Sequence, residues 1–171
     1  MEFEIKKIHV GWFGMTFNAD DKNVYIVTTS KWLNDGPRHF LQAFNEILTI
    51  NHGERYVILD DEPGANIICM KKVKPGMINI SIYAIIEWYD SRIKLYGEKM
   101  PDNLEIYEKL LDANFSTVKL SHDILDAFGE YSRGDKNEYY NKHWFEFPDD
   151  DYEKLKKLVS GSSMSDVGWF V

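Results

Sequence analysis

The residues able to do chemistry are few and scattered. Histidine occurs five times, at His9, His39, His52, His122 and His143. No two stand at the spacing that puts a pair of imidazoles on one helical face for zinc, so no metal site is expected. Ser121-His122-Asp123 has the residue types of a hydrolytic triad in consecutive positions. A triad needs its three groups to converge in space, which neighbours on one segment do not do. The run is expected to open a helix instead, with Ser121 as its cap. Cys69, the single cysteine, lies between Ile68 and Met70. A nucleophilic thiolate needs a helix N-terminus or an adjacent cation to lower its pKa. Only Lys71, on the same strand face, is at hand, so Cys69 is expected to be a small buried apolar residue. The chain has no Gly-x-Ser-x-Gly elbow, phosphate-binding loop or dinucleotide fingerprint, and Gly11-Trp12-Phe13-Gly14 reads as a strand end. No catalytic, cofactor-binding or metal-ligating residue is expected, and no cofactor.

Carboxylates and aromatic rings supply the binding candidates. Asp60-Asp61-Glu62 precedes Pro63-Gly64 and is the densest acidic group at a turn. Its carboxylates lack the spacing of a calcium loop, which leaves a solvated turn or a contact for a basic partner. Asp149-Asp150-Asp151 reads as helix-start chemistry, with acids at the positive end of a helix dipole. Aromatics make up 15% of the chain, and Trp32, Tyr83, Trp88, Tyr89, Tyr139, Tyr140 and Trp144 are the ring candidates for an interface. The expected partner-binding set is Asp60, Asp61, Glu62, Tyr83, Glu87 and Tyr89. Its function would be that of a non-enzymatic protein-binding module facing a basic protein. One alternative is an enzyme or small-ligand pocket built from dispersed residues, with Glu87, Tyr89 and a histidine as acid and base. A further alternative is a homo-oligomer that pairs through a strand edge or through Trp169-Phe170-Val171.

Composition limits the classes. The chain has 171 residues, 44% of them hydrophobic and 28% charged, with a formal charge of −8. This predicts one globular domain over 1–171 with its own core, closed by an apolar tail at 162–171 that either docks or engages a partner. Nucleic acid is not expected as a partner, because the basic residues are dispersed and clustered only as doublets such as Lys6-Lys7 and Lys156-Lys157. No apolar run reaches the length of a membrane span, and the stretch Met1 to Lys7 carries acids rather than a signal-peptide core. A single cysteine fits a reducing cytoplasm. Only four arginines, Arg38, Arg55, Arg92 and Arg133, beside many lysines suit AT-rich bacterial coding.

These residues must be positioned by strands first and helices later. Phe3 to Phe13 reads as one extended segment, with Ile8, Val10 and Trp12 on one face and Phe3, Ile5 and Phe13 on the other. A polar turn at 18–23 joins it to a strand from Val24 to Ser30. Asn34-Asp35-Gly36-Pro37 opens a helix whose inward face is Phe40, Leu41, Phe44, Ile47 and Leu48, closed by Gly53. Strands follow from Arg55 to Leu59, Ile67 to Lys72 and Met77 to Tyr89, the last with its even positions inward. Arg92 to Tyr96 reads as a strand, Pro101 to Leu110 as a helix and 114–120 as extended. Helices then run from Ser121, over Glu138 to Trp144, and from Pro148 to Gly161. The sum is an α+β fold, mostly antiparallel sheet with one helix inserted early and two to three helices in the C-terminal third.

Three segments taken together are distinctive: Trp32-Leu33-Asn34-Asp35-Gly36-Pro37, Asp61-Glu62-Pro63-Gly64, and Tyr140 with Trp144, Phe147 and Pro148. In that order, over roughly residues 20–160, the chain resembles a loosely defined family of small bacterial cytosolic proteins with no activity attached. The resemblance implies a fold and no site residues. By analogy of size and acidity such proteins are similar to the immunity proteins of bacterial toxin systems.

Overall fold

A computed structural model describes residues 1–19, 21–29, 34–86, 94–102 and 104–165. The fold is α+β, with two antiparallel sheets and four helices, one early and three in the C-terminal part. The first sheet takes β1 (Phe3–His9), β2 (Trp12–Ala19) and β3 (Lys22–Thr29) in that order. Helix α1 (Gly36–Thr49) follows. The second sheet is built from β4 (Glu54–Asp60), β5 (Ala65–Lys74), β6 (Met77–Ile85), β7 (Tyr96–Gly97) and β8 (Ile106–Ser116), in the order β7-β4-β5-β6-β8. Helices α2 (Thr117–Gly129), α3 (Gly134–His143) and α4 (Asp149–Ser165) complete the chain.

The expected single segment from Phe3 to Phe13 is two strands. Gly11 adopts φ 78°, a left-handed conformation open to glycine, and it turns the chain back on itself. A bulge between Ile5 and Lys7 then shifts the side-chain alternation, so Phe3, Ile5, Ile8 and Phe13 share the core face. Val10 and Trp12 are left outside.

Helix α1 begins as its sequence requires. The Asp35 carboxylate accepts from the Arg38 amide at 3.4 Å, and Pro37 sits in the first turn, where its missing N–H costs nothing. Gly53 takes φ 115° in the connection to β4, three residues beyond the C-cap Ile50, so it shapes that loop rather than the helix end. Between β5 and β6, Pro75 and Gly76 (φ 73°) make the tight turn. On β6 the even residues Ile78, Ile80 and Ile82 are fully buried, while Ile86 lies beyond the strand and is exposed.

The middle of the chain departs most from expectation. The described residues of 101–110 hold no helix, and β8 occupies Ile106–Ser116. Two irregularities in its pairing with β6 break the alternation that would have marked it as a strand. The stretch 114–120 divides between β8 and α2. The α2 cap is Ser116, whose hydroxyl accepts from the Lys119 amide at 3.4 Å. Ser121 is instead inside the helix, donating to the Thr117 carbonyl at 2.6 Å. Helix α4 passes through Gly161 to Ser165.

One large core holds the inner faces of both sheets together with α1, α2, α3 and α4. A smaller cluster of Tyr56, Ile58, Ala65, Ile67 and Ile85 lies on the other face of the five-stranded sheet, with Met100 and Leu104 packed over it. Gly64 is what lets the β4–β5 turn close against β6. A Cβ there would lie 2.4 Å from the Ile85 carbonyl oxygen, which is backbone and cannot swing away. Gly64→Ala is therefore expected to lower stability by about 1–3 kcal/mol. Gly161, in α4 with nothing near its Cβ position, gives the opposite sign. Gly161→Ala should stabilise by about 0.5–1 kcal/mol. Urea denaturation of the two variants checks both, and a neutral Gly64→Ala would show that the contact yields.

Candidate interaction surface

Register gathers part of the expected partner-binding set. Asp60 pairs with Ala65 and Ala65 with Ile85, while Ile58 pairs with Ile67 and Ile67 with Tyr83. Asp60 and Tyr83 therefore share the outer face of the five-stranded sheet, one row apart. The three neighbouring acids have different surroundings. Asp60 is only 2% exposed, and its carboxylate accepts from the Glu62 amide at 3.3 Å. Asp61 accepts from the Asn66 side-chain amide at 2.9 Å, and its own backbone N–H donates to the Gly64 carbonyl at 3.2 Å. Burial pushes the Asp61 carboxyl above its ordinary value, with the Asn66 hydrogen bond acting the other way. Glu62 is half-buried. Glu87 and Tyr89 lie outside the described residues, as do Trp32, Trp88 and Trp169-Phe170-Val171.

Tyr83 stands on a boundary. Towards Ile85 the face is apolar and covered by Met100 and Leu104. Towards Asn79 it is polar. Lys109 Nζ lies 5.5 Å from the Tyr83 ring centre and donates to Asp112 at 2.8 Å. Asp112 also accepts from Asn79 at 2.9 Å and from the Ser81 hydroxyl at 3.3 Å. The Lys109 hydrogen bond, then that of Asn79, holds its carboxyl below the usual range.

Two hollows open nearby. A cleft of about 680 Å³ between α1 and β7 is lined by His39, Tyr56, Lys94, Tyr96, Gly97 and Lys99. The His39 ring stacks on Tyr96 at 5.3 Å, and its Nδ1 is buried without a hydrogen-bond partner. Burial pushes the His39 imidazole below its ordinary 6.5, against the pull of the Asp35 charge. A second hollow of about 820 Å³ lies around His52 and Arg55, where Arg55 meets Glu46 at 2.6 Å and Glu98 at 3.7 Å. Cys69 opens into neither hollow. Burial pushes its thiol up to about 12, and its Sγ is 3.6 Å from Met100 Sδ. Among the described residues no three His, Cys, Asp or Glu side chains are placed to hold a metal ion, and no helix is long and apolar enough to cross a membrane.

The strongest electrostatic feature lies elsewhere. Residues 123–153 carry ten carboxylates against Arg133, Lys136 and Lys142, a net of −7 out of the chain's −8. Eight of the ten are exposed, on α2, on α3, in the loop before α4 and in the first turns of α4. Asp151 is one of the two that are not. It accepts from Gln42 at 3.3 Å, and burial pushes its carboxyl up. Asp60 to Glu62 is no denser a triplet than Asp149 to Asp151, which belongs to this segment, and a charge count along the chain finds the rest.

The class of molecule defined here is an α+β protein with its net charge concentrated in the segment 123–153 and a half-covered sheet face. The chain matches no family model, and no curated protein or solved structure matches it either.

His39 supplies a pH dependence with a definite sign. Its folded pKa lies below the unfolded value, so the unfolded chain takes up the proton more readily and stability is lost as pH falls through about 6.5. Urea unfolding is expected to show a drop in stability between about pH 7.5 and pH 5.5, and His39→Gln should flatten part of it. Identical pH profiles for the two proteins would assign the drop to other groups.

Proposed function

We propose that this chain is a cytoplasmic protein-binding module, immunity-like in character, that engages a basic partner. The observation that supports this reading is the concentration of nearly all its net charge in the segment 123–153. A field of one sign steers an oppositely charged protein into encounter and repels acidic ones. The sheet face offers a second proposed contact, with Asp61, Glu62 and Tyr83 as contact groups and Glu87 and Tyr89 following in the chain. Asp60, buried under the turn, would position its neighbours rather than touch a partner.

Affinity capture of the tagged protein from its native cytosol, with cross-linking and mass spectrometry, tests the reading. One stoichiometric basic protein is expected, cross-linked to residues of 123–153 and released as salt rises from about 0.05 to about 0.5 M. Asp61→Lys with Glu62→Lys should weaken the complex if the sheet face takes part. A partner that is acidic or indifferent to salt overturns the reading. A protein recovered without any partner moves the weight to a small ligand in the His39 cleft.

A further inference from the structure

Residues 94–102 run as a strap along the β4 side of the five-stranded sheet. Its strand part, β7, is only two residues long, with Tyr96 paired to Val57 and Gly97 to Tyr56. The Ile58 amide donates to the Leu95 carbonyl at 2.7 Å, and the Tyr56 hydroxyl donates to the Lys94 carbonyl at 2.9 Å. Gly97 lets the strap lie close, since a Cβ there would be 3.0 Å from the Tyr56 ring. Beyond β7, Met100 packs with Leu104 over Tyr56, Ile58, Ala65, Ile67 and Ile85. Met100 Sδ also lies 3.6 Å from Cys69 Sγ. A segment with so short a ladder belongs to the low-stability end of local opening.

His39 of α1 faces the strap. Its ring stacks on Tyr96, with centres 5.3 Å and planes 26° apart, and its Nδ1 is buried without a hydrogen-bond partner. In a neutral ring protonated at Nε2, that leaves only an unused lone pair. In a protonated ring, Nδ1 becomes a charged donor with no acceptor, which costs more. On α1, Asp35 attracts the proton and Arg38 opposes it. The Asp35 carboxylate already accepts from Arg38 Nε and from the Trp144 indole. The strap brings Lys94, Glu98 and Lys99 to the same cleft, and β4 brings Tyr56. Glu98 is drawn to Arg55 at 3.7 Å, and Lys99 is bound to Asp102 at 2.9 Å. Stacking of an imidazolium on Tyr96 returns part of the cost. Burial outweighs both that and the pull of Asp35.

We propose that His39 and Tyr96 form an acid-sensitive latch: protonation of His39 releases the strap and uncovers the β4 edge with the apolar cluster beneath Met100. In the open form Tyr96 no longer covers the imidazole, and the ring is free to turn Nδ1 to water. The open form therefore takes up the proton more readily, and opening is favoured as pH falls through about 6.5. The pairing of β5, β6 and β8 is retained. The uncovered β4 edge presents backbone N–H and C=O groups beside apolar side chains, the requirement for pairing with an added strand.

Amide hydrogen exchange of the full chain, followed by NMR at about pH 7.5 and about pH 5.5 and corrected for intrinsic rates, reads the latch at the Ile58 amide. Its protection is expected to fall several-fold at the lower pH, while amides of β5 and β6 keep theirs. Cys69 supplies a second readout. Its labelling by a dithiodipyridine, normalised to glutathione at each pH, should rise by a similar factor as Met100 lifts away. His39→Gln keeps a polar side chain with no proton to gain, and it should abolish both changes. Tyr96→Ala should raise both signals at either pH, with the melting temperature showing that the fold survives. In the unaltered protein the His39 ring shifts should titrate with the same midpoint as the two signals, which tests the latch even where a variant does not fold. Ile58 protection and Cys69 labelling that do not change with pH overturn it. A change that persists in His39→Gln, or a loss of protection shared by β5 and β6, overturns it too.

Discussion

The fold depends on one stack of rings. Phe3, the first residue of β1, lies between Phe40 of α1 at 5.4 Å and Phe128 of α2 at 6.2 Å, near parallel to both, and meets Phe17 of β2 edge-on at 5.2 Å. A three-stranded sheet has little surface with which to hold itself to anything, and this stack joins it to two helices at once. Each such pair contributes about 0.5–1.5 kcal/mol beyond the area it buries. Phe13 carries the contact onward to Phe128, to Tyr140 of α3 and to Trp144 at 5.6 Å. The polar counterpart is Asp35, buried beneath the rings. It accepts from the Trp144 indole at 3.0 Å and from Arg38 Nε at 3.0 Å, and Arg38 also donates to the Glu146 carbonyl at 3.2 Å. The start of α1 and the segment before α4 are thereby tied by a satisfied carboxylate rather than by apolar contact alone.

Every ring of that stack lies on one side of the three-stranded sheet, so none of them covers its other side. The five-stranded sheet faces the same problem and solves half of it. Residues around Met100 and Leu104 fold back over Ile58, Ile67 and Ile85, and the remaining half carries hydrogen-bonded polar side chains, from Asn79 to Asp112. The three-stranded sheet is covered in part, with Thr16 and Thr29 buried on its outer side. Its outer face keeps Trp12 and Tyr25 partly in water, a cost the chain carries as a monomer and that burial against another surface would recover.

What the sequence made legible follows from periodicity. Phe40, Leu41, Phe44 and Ile47 repeat with the helical period, and all are buried. Ile78, Ile80 and Ile82 alternate, and all are buried. Where a bulge or a tight turn interrupts the period, the reading went astray. Gly11 alone marks the reversal between β1 and β2, with apolar residues on both sides that read as one strand. In β8 the run Glu108-Lys109-Leu110-Leu111 imitates a helical pattern, because irregular pairing with β6 lets Leu110 stand outside the alternation. The same limit applies to the site. Asp60, Asp61 and Glu62 are equivalent as letters, yet strand register buries the first and half-exposes the others, and register is a long-range property. The acidic layer was legible in principle, since charge density is local.

The placement of that charge is itself informative. Like charges spread over a whole surface repel little, while eight exposed carboxylates within 31 residues, 123–153, raise the free energy of the folded monomer. Part of the cost is offset internally: Asp149, Asp150 and Asp151 sit in the first turn of α4, where the helix dipole favours them. Asp135 has a similar place on α3. Glu138 and Glu146 do not, and solubility alone would be served as well by acids scattered elsewhere. The exposed aromatic residues and the concentrated charge cost stability separately, and a basic partner would offset the second.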